Sequence, residues 1–371
     1  MAILTTEMTL PGLWLSAFAP QANDHNPARG IVSCASKCAR VFSCAGLLLV
    51  SAVHVNLLMS ANAKMVQECL IAVSSAACGE INVFAKEVLH TRGGRVGSGM
   101  GSLLEALWGY YINRVIQKES CPIADCELAW MPGHQYNDFA CVLRNAKWNP
   151  DTGEGEILRI EAKSMVACAD ESKAHFDQLQ KNISPHDLLV VLVWDWKPID
   201  DVRVCPQVLD SFVGPALPVA ELRDALHISR GGSFVPRSSC PNGCEPSECQ
   251  HDGEPLNASG KRERLSGPEA CRVSKGTSHA ANFGGMVRML KTDSTEARKV
   301  FRDFRKKNEV ANRYIGFIHR NFPTEEESQY TAKEWRDLAS YLGIKDPPKG
   351  KTDIMRVIRE TSPDYGTRFS G

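Results

Sequence analysis

Leu188-Leu189-Val190-Val191-Leu192-Val193-Trp194, within Asp187–Trp196, is a continuous apolar run with no polar alternation. Alternate residues of a strand point to opposite faces, so a strand of this composition is one covered on both sides. That demands layers above and below its sheet. The chain has the material for them: 371 residues with 43% hydrophobic content are enough for one large or two ordinary domains with a true core.

The elements around this run follow from periodicity. Residues 1–61 form an N-terminal extension to which we assign no fold. From Asn62 to His90 apolar residues recur at helical spacing (Val66, Leu70, Val73, then Ile81, Phe84, Val88), and Cys78-Gly79 between them predicts two helices. Ser102–Gln117 is a helix with Leu104, Leu107, Trp108, Tyr111 and Val115 along one stripe. Gln135–Arg144 is predicted as a strand, Asn149-Pro150-Asp151-Thr152-Gly153 as a turn, and Glu156–Val166 as the antiparallel return strand. Ala169–Asn182 is helix-like and bounded by Pro185. Pro198–Val235 is taken as a connecting segment with a short helix at Val219–His227. These elements place a domain at residues 62–235, a cysteine-rich segment at 236–285 and a basic helical region at 286–371.

The chemistry concentrates on Ile157–Met165. Glu161 and Lys163 stand two apart in this strand and project from one face, which is costly in apolar surroundings unless the charges are partnered. Asp138 on the preceding strand and Glu105 in the first turns of the Ser102–Gln117 helix are candidate partners. Glu105 can equally stabilise its own helix N-terminus. Hydrolysis of a phosphodiester needs a hard divalent cation, oxygen ligands to hold it and a positioned water. Asp138, Glu161 and the Ala162 carbonyl are oxygen ligands, and Lys163 can orient the water or offset developing charge.

Asn137-Asp138, 22 intervening residues, and Glu161-Ala162-Lys163 on a returning strand resemble the PD-(D/E)XK nuclease superfamily. The resemblance covers Gly101–Trp196. It implies an α/β fold, a restriction-endonuclease-like αβββαβ core with a mixed sheet, here followed by a mainly helical C-terminal region. It implies Asp138, Glu161 and an assisting Glu105 as ligands of Mg²⁺, or of Mn²⁺ in its place. Lys163 would be the catalytic lysine, and Gln178 or Gln180 the glutamine carried by the following helix. Asn137 stands where the family name has proline. The implied activity is that of a metal-dependent endodeoxyribonuclease of the type II restriction kind. A repair or structure-guided nuclease, and a non-catalytic DNA-binding protein on the same scaffold, are the alternatives.

Formal net charge is zero, so no global field favours nucleic acid, but residues 261–320 hold 15 Lys/Arg against 6 Asp/Glu. Thr295–Asn321 is predicted as one amphipathic helix whose polar side carries Arg298, Arg302, Arg305 and Lys306. It is either a solvated face or a phosphate-binding one. The loop Arg92–Gly101, with Arg92 and Arg95 among five glycines, meets neither nucleotide-binding fingerprint. It is a hinge or a backbone-contacting loop. Thr331–Glu360, two short helices around Asp346-Pro347-Pro348-Lys349-Gly350-Lys351, resembles a SAP-type helix-extension-helix DNA-binding module, and Lys349 and Lys351 would contact DNA.

Cys240, Cys244, Cys249 and His251 form a compact cluster that is either a structural zinc site or a set of unliganded thiols, with Cys271 and His279 as spare ligands. Fourteen cysteines scattered along the chain are read as reduced thiols. Val41–Met59 is too polar for a convincing membrane span, and Pro11, Pro20 and Pro27 interrupt the leader. The expectation is a cytoplasmic protein with no membrane partner that acts on double-stranded DNA. A homodimer is compatible with it.

Overall fold

A computed structural model describes residues 52–92, 99–118, 120–131, 137–169, 174–240, 245–247, 249, 251–256, 283–287, 295–323, 327 and 330–362, with 52–61 given as backbone only. The fold is α/β. A five-stranded mixed sheet runs in the order β1 (Cys126–Trp130), β2 (Phe139–Leu143), β3 (Glu156–Val166), β4 (Leu188–Pro198) and β5 (Val204–Pro215). Neighbours are antiparallel except β3 and β4, which are parallel. The apolar run is therefore an interior strand, paired on both edges. Leu189, Val191 and Val193 enter a core shared with helices α3 (Ala216–Ser229), α4 (Thr295–Lys307) and α5 (Glu309–Asn321). Leu188, Val190 and Leu192 point the other way and are equally buried. Helices α1 (Ala52–Val88) and α2 (Met100–Ile116) pack on β5 and β3.

The two helices expected over Asn62–His90 are one, α1, which passes through Gly79 without a break. A glycine inside a helix costs about 1 kcal/mol relative to alanine. Burial of Val66, Leu70, Ala77, Ile81 and Ala85, all under 5% exposed, offsets that easily. The segment Asn62–Val88 is long and apolar enough to cross a membrane by length and composition alone. Its stripe is instead spent on the protein's interior, and Asn82 holds the Val208 backbone at both its N–H and its carbonyl. Val41–Met59 falls mostly outside the described residues.

Three other expectations are corrected. Ala169–Asn182 is not a helix: among the described residues it contributes one 3-10 turn, Gln180–Asn182, and the rest runs extended. Its backbone finds partners elsewhere, with Phe176 N–H donating to Gly284 O (2.8 Å) and Met286 N–H to Ala174 O (3.2 Å), while Phe176 itself is fully buried. The αβββαβ order thus lacks its second helix there. Pro198–Val235 is no mere connector, since β5 lies in it and pairs with the whole of β4. The single helix over Thr295–Asn321 is α4 and α5. Asn308 leaves the helical region at φ −136° and its side chain accepts the Ala311 N–H, capping α5. The strand Gln135–Arg144 shortens to β2, and β1 was not anticipated.

In the C-terminal region α6 (Ala332–Tyr341) and α7 (Lys351–Thr361) enclose a small core of Trp335, Ala339, Ile354, Met355 and Ile358. A capping box at Thr331 and Glu334 starts α6. Helix α7 docks on the sheet: Lys197 pairs with Asp353, Thr352 Oγ1 donates to Asp195 Oδ2 (3.1 Å), and Arg356 reaches Leu209 O (2.9 Å) and Asn321 Oδ1 (2.8 Å).

Helix α5 also carries His319, whose Nδ1 lies 3.3 Å from an Arg305 Nη. Burial, helped by Arg305 and Arg359, pushes its pKa down to about 3. The unfolded chain, with an ordinary histidine near 6.5, binds the proton first, so folding stability falls as pH drops from about 6.5 toward 3. The slope from this residue is at most about 1.4 kcal/mol per pH unit. Urea unfolding at several pH values should show His319→Leu losing less stability than the parent across that window. Parallel pH profiles would refute it.

Candidate active site

The sheet opens at one point. Strand β2 pairs with β3 only from Glu156 to Ile160, whereas β3 runs on to Val166 with β4 along its other edge. At that fork Asp138, the residue before β2, turns its side chain to β3. Its Oδ2 accepts the Ala162 N–H at 2.8 Å, and its backbone N–H donates to Ile160 O at 3.1 Å. A carboxylate thus stands in for the ladder acceptor that β2 no longer provides. The N–H and C=O of one strand residue lie along the same edge, so the Ala162 carbonyl faces the same opening.

Glu161 and Lys163 flank Ala162 and share the other alternation, as the period of two requires. Lys163 Nζ is 2.6 Å from Glu161 Oε1 and 3.8 Å from Asp138 Oδ2. Glu105 arrives on α2 and is hydrogen-bonded by the side chain and backbone of Ser164. Two glycines let α2 come this close: a Cβ on Gly101 would stand 2.4 Å from Ser164 Oγ, and one on Gly109 would stand 2.3 Å from the Phe139 ring. Trp108, fully buried between them in sequence, donates to Ser74 Oγ (3.0 Å) and locks α2 against α1.

Three carboxylates therefore surround one ammonium, and their titration reflects it. Burial pushes Glu161 up to about 8; Lys163 opposes this, and Asp138 and Glu105 add to it. Burial likewise pushes Glu105 up to about 7, with Lys163 opposing and Asp138 adding. Burial works against the charge of Lys163, but Glu161, Asp138 and Glu105 more than compensate and hold the ammonium above its ordinary value. The side chains of Asp138, Lys163 and Glu161 are 32%, 22% and 12% exposed, so solvent reaches the group chiefly from the Asp138 side. The carboxylate oxygens are not drawn to metal-ligand spacing. Among the described residues, the group of three ligand atoms that all lie within 4.8 Å of one another is Cys240, Cys249 and His251.

The chain matches no family model, no curated protein and no solved structure.

The remaining candidates are dispersed. Gln178 lies in the extended segment rather than on a helix, and Gln180 donates to Asp224 Oδ2 (2.6 Å), away from the carboxylates. Arg298, Arg302 and Lys306 are exposed and four residues apart on α4, which places them on one stripe. Arg305 leaves that stripe, with its Nε buried and its tip on His319. Lys349 is exposed, Lys351 is half-buried at the start of α7, and Arg92 is exposed beside the Thr91–Val204 bridge. Arg95 and Cys244 fall outside the described residues, as do Cys271 and His279.

Two residues near the site carry no role in the sequence reading. Ser164 follows Lys163 directly and holds Glu105, and a serine in an otherwise apolar or charged strand was the available signal. Asn137 is 2% exposed, donates to Phe139 O (2.8 Å) and buries an Oδ1 with no hydrogen-bond partner. It stiffens the turn from which Asp138 projects.

Proposed function

We propose that the chain is a Mg²⁺-dependent endodeoxyribonuclease of the type II restriction kind, with Asp138, Glu161, Lys163 and Glu105 as its active site. The observation that carries this reading is the convergence at the fork of three carboxylates on one ammonium, two of them pushed up by burial, and further by their carboxylate neighbours, to about 7 and about 8. A hard divalent cation suits that donor set, since oxygen ligands of excess negative charge are what it takes. Asp138, Glu161 and Glu105 would hold it, with the Ala162 carbonyl at the same opening.

When bound, the cation would supply charge neutralisation at the phosphate and a more acidic water. The chain's own contribution is positional. Asp138 and Ala162 fix the geometry of the fork, and Lys163, anchored on Glu161, presents an ammonium to the attacking water or to the charge growing on the phosphate. Glu105, whose carboxyl burial pushes up to about 7 in the free site, would give up its proton on helping to hold the cation. Duplex DNA is the substrate this reading implies, and the exposed stripe Arg298, Arg302 and Lys306 is suited to its phosphates. A chain rich in thiols read as reduced fits the cytoplasm.

Incubating the full chain with a defined plasmid and Mg²⁺ tests it. Cleavage that stops with EDTA is expected. Discrete fragments indicate a restriction-type enzyme and a smear a structure-guided or nonspecific one. Cleavage that persists in EDTA sinks the metal requirement. No cleavage with Mg²⁺ or Mn²⁺ favours the non-catalytic reading, in which Lys163 simply neutralises Glu161.

A further inference from the structure

The described residues from Val235 to Leu256 hold together through a small cluster and a few backbone hydrogen bonds. Among its described residues the regular structure is a 3-10 turn, Arg237–Ser239, and β7 (Pro255–Leu256), which pairs with β6 (Ser233–Phe234) just before the segment; the buried apolar cluster is Val235, Cys240 and Leu256, with Cys249 against them. Two of the four apolar contributors are thus thiols. A cluster of this size buries little apolar surface, and small units with so little core commonly rely on a cross-link or a metal.

The thiols converge on an imidazole. Cys240 Sγ lies 3.5 Å from His251 Nδ1, and ligand atoms of Cys240, Cys249 and His251 all lie within 4.8 Å of one another. Around a tetrahedral zinc, with Zn–S near 2.3 Å and Zn–N near 2.05 Å, a sulfur and a nitrogen stand about 3.6 Å apart. One S–H···N hydrogen bond could hold the first pair at that distance, but it does not require a second sulfur to join them. His251 is also fixed before any ligand arrives. It heads a turn in which Glu254 N–H donates to His251 O (2.9 Å) and Gly253, at φ +81°, donates to Val235 O (2.9 Å).

We propose that Cys240, Cys249 and His251 bind a structural zinc ion that fastens the 235–256 loop. Three of zinc's four positions are filled by the named side chains. The ion ties Cys240, which follows β6, to His251, which precedes β7. The loop so closed bears on the rest of the molecule through Asp252, which receives Lys181 from the 3-10 turn Gln180–Asn182 between β3 and β4, while Arg237 of the loop itself stands 3.3 Å from the same carboxylate. The ion would therefore brace the connection between the strands that carry and support Glu161 and Lys163. The role is distinct from the hard-cation chemistry proposed at the fork, because soft thiolate ligands select zinc over magnesium.

The test reads metal content, not DNA cutting, so it stands or falls apart from the nuclease reading. The full chain, expressed with zinc in the medium and purified under reductant without chelator, should contain about one zinc per chain. Cys249→Ser and His251→Ala should lower that to background. Glu161→Gln, at the fork, and Cys78→Ser, a thiol on α1, should leave it unchanged. Zinc that survives in Cys249→Ser and His251→Ala, that departs with Glu161→Gln, or that is absent from the parent overturns the proposal. So does a Cys240–Cys249 disulfide in the freshly reduced, purified chain. His251→Cys guards against mere misfolding, because it keeps three ligands. Loaded with Co²⁺, it should retain the metal and absorb more strongly than the parent in the thiolate-to-cobalt band, whereas an unchanged band means that His251 is not a ligand.

Discussion

On the proposed nuclease reading, replacing Lys163 with alanine should slow Mg²⁺-dependent DNA cleavage by about 100-fold or more, the scale on which removal of one well-placed electrostatic group acts. The effect should fall on the rate of cutting, with binding of the duplex close to that of the parent, since the basic stripe on α4 is untouched. The fold should tolerate the change. Lys163 leaves behind Glu161, whose carboxyl burial already pushes up to about 8 with the ammonium opposing. Without that opposition Glu161 is neutral at pH 7, so no unpaired buried charge is stranded. Asp138 is different, because its Oδ2 also holds the Ala162 N–H. Asp138→Ala therefore combines lost chemistry with an unsatisfied amide worth about 1–3 kcal/mol. Asp138→Asn separates the two: its amide oxygen can keep the backbone bond while the charge goes. Loss of cutting in Asp138→Asn with a melting temperature near the parent's is the expected result. If Lys163→Ala and Asp138→Asn both cut plasmid at the parent's rate, the fork is not the active site.

How much of this was legible in the sequence depended on how local the deciding physics was. The apolar run at Leu188–Trp194 specifies an interior strand because every one of its side chains needs cover, and that requirement survives any tertiary context. The β2–β3 hairpin was readable from local signals too, with Asn149–Gly153 as a turn and alternate burial of Leu158, Ile160 and Ala162 on its return strand. Placement of Asp138, Glu161 and Lys163 together follows from these two facts alone. What could not be read was set at long range. Ala169–Asn182 has a helical pattern, yet Gly284 and Met286, over 100 residues away, supply its backbone partners and draw it out straight. Gly79 looks like a breaker until the burial on either side of it is weighed. Strand β5 was overlooked because Val204–Pro215 contains Pro206 and Gly214, and only an antiparallel partner as apolar as β4 makes a strand of it.

Arg223→Ala should be the most destabilising single substitution we foresee, at about 3–5 kcal/mol, which for a chain of this length corresponds to a fall of about 4–6 °C in melting temperature. Arg223 is 1% exposed, and its guanidinium is committed in several directions. Nε donates to Asp224 Oδ1 (2.7 Å) and Nη1 to Phe176 O (2.6 Å), and the guanidinium carbon lies 5.4 Å from the Phe176 ring centroid and 4.5 Å from that of Phe283. Nη2 is buried without a hydrogen-bond partner, so the two aromatic faces are what compensate its charge. Alanine would leave Asp224 with Gln180 as its remaining side-chain donor and open a gap between two rings. Arg223→Lys should recover little, because one ammonium cannot reach Asp224 and Phe176 O while lying flat between aromatic faces. In Arg223→Met with Asp224→Asn the charge is removed from both partners, and the pair should cost less than the sum of the single changes. The same substitution bears on the extended segment after β3. Arg223 is the side chain that grips it, so amide exchange at Phe176 and Met286 should quicken in Arg223→Ala before the sheet itself is affected. A loss under about 1 kcal/mol with unchanged exchange there would mean that the segment is held by its backbone bonds to Gly284 and Ala174 without help from the arginine.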